Sequence, residues 1–297
     1  MSTLAVSGSD YPQRIVCLSE ETTETLYLLG QGDRVVGISG YTVRPPEARK
    51  KPKVSAFISA KFDKIMELKP DLVFAFCDLQ ADIAAELIRR GVTVFTFNQR
   101  SVQEILDMIL MIGRIVGCPE RAVSLITSLQ IGLEQIKESA AQFKRRPRVI
   151  FEEWYDPLIS GIRWVEELIE IAGGETIFPE LRAQQSAKGR IIDPAKVVEH
   201  DPEVIIASWC GRTVRKNLIG ERAGFQNTSA VKNGHVYEVK STYILQPGPI
   251  ALTEGVRQIH ALLAHAIGHS VKSSLAPTER LDTMLDAGIE RQSLQLT

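Results

Sequence analysis

The sequence has few cysteines, no long apolar run and almost no charge excess. Its four cysteines, Cys17, Cys77, Cys118 and Cys210, are widely spaced and form no C-x-x-C pair, which argues against a disulfide framework or a zinc ribbon. No stretch reaches the roughly 18 apolar residues that a membrane-spanning helix needs. The formal net charge of the 297-residue chain is −1. We therefore expect neither a nucleic-acid partner nor insertion into a membrane.

The N-terminal segment also lacks the features of a secretory signal. Residues 1–13 are small and polar, without a basic start followed by an apolar stretch of about 7–15 residues. We predict that residues 1–13 are disordered or extended. The chain as written is expected in the cytoplasm, and in the periplasm if a leader has been removed from it.

The most informative feature that is present is an internal repeat. Residues 64–75 read as a helix end, a Pro-acid turn and a buried strand, and residues 196–207 repeat this order with Lys, Glu, Pro and Ala matching position for position. Upstream, residues 14–16 resemble residues 148–150, with an identical arginine followed by two β-branched apolar residues. Two similar α/β units predict two lobes, and the cleft between two lobes is a common place for a small ligand.

Strands and helices alternate within each unit, which predicts parallel sheets covered on both faces. The predicted strands are residues 14–18, 35–38, 72–76 and 92–97 in the first unit and 148–152, 204–208 and 235–239 in the second. Residues 119–143 have apolar side chains at a 3.6-residue period after a proline, which predicts one long helix. The predicted fold class is α/β, with two Rossmann-like lobes joined by this helix and a ligand cleft between them.

The predicted domain boundaries follow from these elements. They are an N-terminal segment at residues 1–13, an N-terminal lobe at 14–118, a linker helix at 119–146, a C-terminal lobe at 147–269 and a tail at 270–297.

Candidate ligand-binding residues follow the ends of the predicted strands, because ligands of open parallel sheets lie beyond the carboxyl ends of the strands. The candidates are Tyr41 and Phe57 in the first unit and Glu153, Trp154, Arg163, Trp164, Trp209, Arg212, Tyr243 and Gln246 in the second. Aromatic walls suit a large planar or macrocyclic ligand, and arginines can pair with its carboxylates or phosphates. The alternative for each tryptophan is packing against a helix, and for each arginine a surface ion pair.

Several of these residues lie in motifs that resemble a known family. The motifs span residues 14–19 with Glu24, 36–41, 53–55, 160–161, 173–178 and, most specifically, the Leu-Lys-Pro-Asp-Leu-Val run at 68–73. Over residues 14–268 the chain resembles the substrate-binding proteins of vitamin B12 and iron-siderophore ABC importers, the helical-backbone class III. The resemblance is strongest to the cobalamin-binding members.

The resemblance implies a function as well as a fold. It implies non-catalytic binding of a corrinoid or similar large chelate in the cleft, for uptake or intracellular handling, by a monomer that needs no cofactor. Tyr41 and Phe57 would line the cleft from one lobe, and Trp154, Trp209 and Tyr243 from the other.

The resemblance also implies a possible ABC permease as partner. Asp63 matches the acidic residue with which the family grips the permease, while its repeat counterpart is Ala195, so that Glu221 is the candidate in the second lobe. The sequence departs from the cobalamin-binding pattern at Phe57, where tryptophan is usual, and at the neutral residues near Gln246.

Two other functions remain open from the sequence. A haem or ferric-siderophore binder is one, because Tyr41 or Tyr243 can ligate haem iron and arginines can hold propionates. A small-molecule enzyme using Glu153 and Asp156 is the other, although no G-x-S-x-G, P-loop or G-x-G-x-x-G stands in the right context. No metal site is predicted, since all five histidines lie after residue 199. We interpret the chain as a binding protein and not an enzyme.

Overall fold

The computed structural model describes residues 11–278 and divides them into two compact units. Unit 1 comprises residues 11–99 and 103–128, and unit 2 comprises residues 100–102 and 129–278. Most of the predicted N-terminal segment, and the predicted tail from residue 279 onward, lie outside the described residues. Among the helices of residues 11–278, none combines the length and the apolar character that crossing a membrane requires.

Unit 1 is built on a five-stranded parallel sheet. Its strands are β1 (Ile15–Cys17), β2 (Val35–Ser39), β3 (Lys53–Ser55), β4 (Leu72–Phe76) and β5 (Val94–Phe97). They are ordered β3-β2-β1-β4-β5, and every neighbouring pair is parallel. The predicted parallel sheet is therefore confirmed, with β3 as an additional edge strand that the sequence did not reveal.

Helices connect these strands. They are α1 (Glu20–Leu28), α2 (Phe62–Glu67), α3 (Ala81–Arg89), α4 (Val102–Ile115) and α5 (Pro119–Ala140). The long helix predicted from the 3.6-residue period is α5, and the division between the units falls inside it. Helix α4 was not predicted, although its buried side chains follow the same helical period.

Unit 2 has a smaller sheet of mixed direction. Its strands are β6 (Arg148–Trp154), β7 (Ile159–Ser160), β8 (Glu175–Thr176), β9 (Val204–Ala207) and β10 (Val236–Glu238). The order is β10-β9-β6-β7, with β8 also paired to β6. Strand β7 is antiparallel to β6, whereas β8, β9 and β10 are joined in parallel. The prediction of parallel strands is thus confirmed except at β7, which returns along β6 directly after the loop that leaves it.

The helices of unit 2 differ widely in length. They are α6 (Arg163–Ile171), α7 (Pro194–His200), α8 (Lys216–Glu221), α9 (Ser229–Lys232), α10 (Ser241–Ile244) and α11 (Val256–Ala266), with a π-helical turn at Ala251–Gly255 before α11. The unpredicted helices α8, α9 and α10 have only four to six residues each, which is too short for a periodic signal.

The internal repeat has the same hydrogen bonds in both units. In unit 1, the backbone N–H of Arg14 donates to the Asp71 carboxylate at 2.9 Å, and the Asp71 N–H donates to the Arg14 carbonyl at 3.0 Å. In unit 2, the Arg148 N–H donates to the Glu203 carboxylate at 3.0 Å, and the Glu203 N–H donates to the Arg148 carbonyl at 2.9 Å. The acid of each Pro-acid turn therefore closes the start of the central strand.

Glycines in two of the family motifs are required by packing. A Cβ atom on Gly37, in β2, would lie 2.8 Å from a methyl of Leu68, and one on Gly174 would lie 2.7 Å from a methyl of Ile169. Such approaches are shorter than van der Waals contact. A larger residue at Gly37 would therefore displace Leu68, which follows α2, and one at Gly174 would displace Ile169 of α6. At these two motif positions, close packing of a neighbouring side chain therefore requires glycine.

Candidate functional site

The carboxyl ends of β6 and β9 bring aromatic side chains together in unit 2. The two strands are parallel neighbours, with Glu152 aligned to Ala207. The residues that follow them, Tyr155 and Trp209, have ring centroids 5.3 Å apart with planes inclined at 55°. Aromatic side chains therefore meet beyond two adjacent strand ends, although Tyr155 was not among the predicted residues.

Trp209 is largely buried at this edge. It is 5% exposed and belongs to the core of unit 2. Its indole N–H donates to the Glu152 carboxylate at 3.0 Å. Little of the ring is open to a ligand, so the predicted contact stays a prediction, while the packing role is observed.

Glu152 is buried between this indole and an arginine that the sequence did not single out. The Arg222 Nη1 atom lies 2.8 Å from a Glu152 oxygen, and the two side chains are 10% and 1% exposed. Burial raises the pKa of Glu152, and the charge and hydrogen bond of Arg222 oppose the rise. The guanidinium also lies 4.6 Å from the Tyr155 ring centroid and donates to the Tyr155 carbonyl at 2.9 Å. The Arg222 guanidinium is thus linked to Tyr155 directly and to Trp209 through the Glu152 carboxylate.

Trp154 and Arg212 lie together on the outer side of this edge. The Arg212 guanidinium carbon is 5.2 Å from the Trp154 ring centroid, and the Trp154 indole donates to the Asp156 carbonyl at 3.0 Å. Trp154 is half-buried, whereas Arg212 is exposed. These two predicted residues are accessible, and a cation over an indole face is a stabilising arrangement.

Two other predicted polar residues are taken up by ion pairs. Glu153 pairs with Arg190 at 2.6 Å, and the Arg190 side chain is 2% exposed and also donates to the Ser160 carbonyl. Arg163 pairs with Glu167 at 2.7 Å, one turn along α6. Arg163 therefore has the surface ion pair that was its alternative. Glu153 is not the unpaired carboxylate that a general base would offer.

Trp164 has a structural position in unit 2. It is 3% exposed, and its indole N–H donates to the Ile244 carbonyl at 2.9 Å. Ile244 ends α10, the short helix that carries Tyr243, and Gln246 follows two residues later. Tyr243 and Gln246 are half-buried. Trp164 therefore tethers the segment in which two predicted ligand residues lie, and its own predicted contact with a ligand stays a prediction.

In unit 1, the loops at the carboxyl ends of the strands carry exposed apolar side chains. Tyr41 follows β2 and is 53% exposed, and Phe57 follows β3 and is half-buried, with its ring centroid 6.4 Å from that of Phe76. Ile58 and Leu79, which the sequence did not single out, are 70% and 59% exposed and follow β3 and β4. The sequence feature that could have indicated Ile58 and Leu79 is an apolar residue within a polar loop.

A buried glutamine holds these loops to the sheet. Gln80 is 0% exposed, and its Oε1 accepts from the Phe76 N–H at 2.9 Å. Its Nε2 donates to the Leu18 carbonyl at 3.2 Å and to the Phe57 carbonyl at 2.8 Å. One side chain thus joins the ends of β1 and β4 to the loop that follows β3. No feature of the sequence marked this residue.

The start of α1, which follows β1, contains buried acidic residues. Glu21 is 1% exposed, and burial, together with the charge of Glu20, raises its pKa to about 8. The Ser19 hydroxyl donates to Glu21 at 2.5 Å. The Arg44 guanidinium lies 3.8 Å from Glu24. This end of unit 1 can therefore hold a proton that a solvated carboxylate would release.

The two predicted permease-docking residues are exposed. Asp63 begins the first turn of α2 with its side chain 95% exposed, and it pairs with Arg90 at 3.0 Å beside a cavity of about 610 Å³. Glu221 is exposed at the end of α8. Ala195 occupies the equivalent early position in α7. Both acids are accessible to a partner, and their role stays a prediction.

Within residues 11–278, no group of three or more His, Cys, Asp or Glu side chains has the arrangement of a metal site. Three of the cysteines are buried, while Cys210 is exposed in the loop after β9. The histidines make other contacts: the two His260 ring nitrogens lie within hydrogen-bonding distance of the Ala172 carbonyl and the Ser139 hydroxyl.

Comparison with known proteins identifies the family. Residues 15–243 match the family model described as periplasmic binding protein. The chain belongs to this family. It is 30% identical over 257 residues to the ABC transporter substrate-binding lipoprotein YvrC of Bacillus subtilis, covering 84% of this chain and 79% of the relative. It is 24% identical over 267 residues to a cobalamin-binding protein of Halobacterium salinarum, covering 88% and 72%.

Solved structures show the same fold. The vitamin B12-binding protein BtuF of Vibrio cholerae matches with a TM-score of 0.67 at 25% identity, covering 86% of this chain and 98% of that one. IsdE of Staphylococcus aureus, solved with haem, matches with a TM-score of 0.70 at 17% identity, covering 84% and 98%. The resemblance to class III substrate-binding proteins and the two-lobed α/β fold class are therefore confirmed.

Proposed function

We propose that this protein is the non-catalytic solute-binding component of an ABC importer and that its ligand is a cobalamin-like corrinoid. The observation that carries the proposal is the set of accessible aromatic and apolar side chains at the carboxyl ends of the strands in each unit. The names of relatives from Halobacterium and Vibrio, which are cobalamin- or vitamin B12-binding proteins, support the choice of ligand. The cleft predicted between the lobes stays a prediction.

The accessible residues define the proposed contacts. In unit 2 they are Trp154 and Arg212, and in unit 1 they are Tyr41, Phe57 and the flanking Ile58. A macrocycle that stacks on these rings is stabilised by about 25 cal/mol of free energy per Å² of apolar surface buried, less the free-energy cost of association. Tyr243 and Gln246 are proposed as further contacts, held by Trp164.

Two buried tryptophans have a different proposed role. Trp164 and Trp209 are at most 5% exposed, and each donates its indole N–H to a protein acceptor. We assign them to the support of the binding surface and not to its face. Their replacement would act on a ligand through the loops that they hold.

The pairing of the arginines favours a neutral macrocycle over one that carries two carboxylates. Haem carries two propionates that need cations, and of the two predicted cations Arg163 is paired with Glu167, which leaves the exposed Arg212 to hold one. The amide side chains of a corrinoid need hydrogen bonds but no counter-charge. Haem stays the alternative ligand, because the half-exposed phenol of Tyr41 is a group that can ligate iron.

Delivery to a permease is part of the proposal. Asp63 and Glu221, both exposed, are the proposed docking residues. The lipoprotein relative in Bacillus supports work at the outer face of the cytoplasmic membrane, and fractionation of the native host would distinguish this location from the cytoplasm. A monomeric state and the absence of turnover also stay predictions.

The test is a spectral and calorimetric titration with cyanocobalamin, haem and a ferric siderophore in turn. We expect cyanocobalamin to bind at about micromolar Kd or tighter, and Trp154→Ala to weaken it by about tenfold, which corresponds to 1.4 kcal/mol. Tyr11→Ala, which removes an aromatic ring that is 44% exposed before β1, is the matched control and should leave Kd unchanged.

Three results would contradict the proposal. Haem binding without cyanocobalamin binding would select the alternative ligand. An unchanged Kd in Trp154→Ala would remove the site from this edge. Chemical conversion of a bound ligand that is lost in Glu153→Gln would indicate an enzyme.

A further inference from the structure

The Gln80 side chain is hydrogen-bonded to the backbone of Phe57 and is therefore placed to control the orientation of the Phe57 ring. Its amide oxygen accepts from the N–H of Phe76, and its amide nitrogen donates to the carbonyls of Leu18 and Phe57. A primary amide has two donors and one acceptor group. All of these are used at a position with 0% exposure, so the side chain has a single hydrogen-bonded arrangement.

The loop that receives this bond has an unusual backbone. Phe57 has a φ of 52°, a left-handed conformation that costs a non-glycine residue about 1–2 kcal/mol. The loop forms a tight turn in which the Ala56 N–H donates to the Ser59 carbonyl at 2.8 Å. A left-handed residue turns its side chain away from the direction that an extended strand would give it. The peptide carbonyl that fixes this turn is the one that Gln80 holds at 2.8 Å.

We propose that Gln80 is a positioning residue that presents the Phe57 ring to the ligand. The inference rests on the proposed function, in which Phe57 contacts the macrocycle. Gln80 makes no contact with the ligand. It acts through the Phe57 carbonyl, and the same side chain ties the loop to β1 and β4, so that the ring is held against a rigid sheet and not on a free loop.

Two substitutions separate the hydrogen bonds from the volume of the side chain. Gln80→Glu keeps the shape and the acceptor for Phe76 but directs carboxylate oxygens at the carbonyls of Leu18 and Phe57. Gln80→Met removes all three hydrogen bonds without adding charge. The matched control is Gln13→Glu, the same substitution at an exposed residue just before the amino end of β1.

The test is a double-mutant cycle with cyanocobalamin as the probe. Calorimetry gives Kd for the unmodified protein, Phe57→Ala, each Gln80 variant and each double variant. We expect Phe57→Ala and Gln80→Glu each to weaken binding about tenfold, and the double variant to be no weaker than Phe57→Ala alone. If Gln80 acted independently of Phe57, the fold-changes in Kd of the two single variants would instead multiply in the double variant. If Gln80→Glu does not fold, the cycle is decided by Gln80→Met.

A second measurement reads the positioning without any ligand. Amide hydrogen exchange should accelerate at least fivefold in residues 55–60 of a Gln80 variant, and stay unchanged in the strands of unit 2 and in Gln13→Glu. Unchanged exchange in residues 55–60, or multiplied losses in the cycle, would overturn the role of Gln80. If the unmodified protein does not bind cyanocobalamin, or if Phe57→Ala binds it normally, the proposed ligand contact fails, and faster exchange alone would then leave Gln80 as a loop anchor and overturn its link to binding.

Discussion

Arg222 reaches the Glu152 carboxylate at 2.8 Å in a part of unit 2 where Glu152 is 1% exposed. The same carboxylate accepts the Trp209 indole N–H, and the same guanidinium stacks on Tyr155. The pair therefore links the two aromatic residues that follow β6 and β9. Removing one member leaves the other charged and buried, which is much more costly than removing both.

We expect Arg222→Met to lower the free energy of unfolding of unit 2 by about 3–5 kcal/mol, because it leaves a buried carboxylate unpaired. Glu152→Met combined with Arg222→Met should recover at least half of that loss. Urea denaturation followed by tryptophan fluorescence measures both. A double variant that is less stable than Arg222→Met would show that the ion pair is not the source of the effect.

Lys69 and Asp201 occupy equivalent positions of the repeat, and both are left-handed, with φ of 47° and 45°. Asp201 accepts from the Ser229 N–H at 2.6 Å and from its hydroxyl at 2.8 Å, and the backbone bond lowers the pKa of Asp201. The exposed Lys69 side chain has no comparable role in the turn.

The substitutions Lys69→Gly and Asp201→Gly should therefore change the free energy of unfolding differently. Glycine relieves left-handed strain at both positions, so Lys69→Gly is expected to be neutral or up to about 1 kcal/mol more stable. Asp201→Gly loses two hydrogen bonds to a charged acceptor and is expected to cost about 2 kcal/mol. Equal changes in the urea midpoints would mean that the turn backbone alone sets stability at both sites.

Glu21 should make the stability of unit 1 depend on pH. Burial raises its pKa from 4.5 to about 8, so between these values the folded protein keeps a proton that the unfolded chain releases. The free energy of unfolding must then fall as pH rises through this window, by roughly 5 kcal/mol at most. Glu21→Gln cannot ionise and should lose this dependence.

Urea denaturation followed by far-UV circular dichroism at about pH 5 and about pH 9 checks this prediction. Glu21→Gln should be the more stable protein at the higher pH. Glu86→Gln is the control, because Arg90 lowers the pKa of Glu86 and nothing at that residue titrates in this window. Parallel pH profiles for Glu21→Gln and the unmodified protein would refute the assignment.

Trp164→Phe should loosen α10 without emptying the core. The substitution keeps most of the apolar ring but removes the N–H that bonds to Ile244 at 2.9 Å, and an unpaired buried carbonyl costs about 1–3 kcal/mol. Faster hydrogen exchange in residues 241–247 is the expected signature. Trp154→Phe should have a smaller effect, because the Trp154 indole N–H donates to the carbonyl of the exposed residue Asp156. Equal stability losses would count against the tether.

The sequence was sufficient for elements that the internal repeat marks, whereas the 14-residue helix α4 was missed. Strands β4 and β9 are uninterrupted apolar runs after a Pro-acid turn, and they were found because the chain carries that pattern twice. Strands β3, β7 and β8 have only two or three residues. They exist because a neighbouring strand offers hydrogen bonds, and no local pattern encodes that.

For the candidate residues, the sequence indicated a position after a strand end but not the direction of the side chain. Trp154 and Trp209 both follow strand ends, yet one is half-buried beside Arg212 and the other is bonded to Glu152 in the core. Position along the chain does not determine which way an indole turns. Gln80 and Arg222 were missed for a related reason, since their partners are distant backbone carbonyls or a distant carboxylate.

The placement of the tryptophans has a practical consequence for any optical study of this protein. All three indoles, Trp154, Trp164 and Trp209, belong to unit 2, and unit 1 contains none. Selective excitation of indole emission will therefore follow the melting of one unit and be blind to the other. A mismatch between the emission curve and the far-UV dichroism curve would reveal that the two halves of the chain unfold separately.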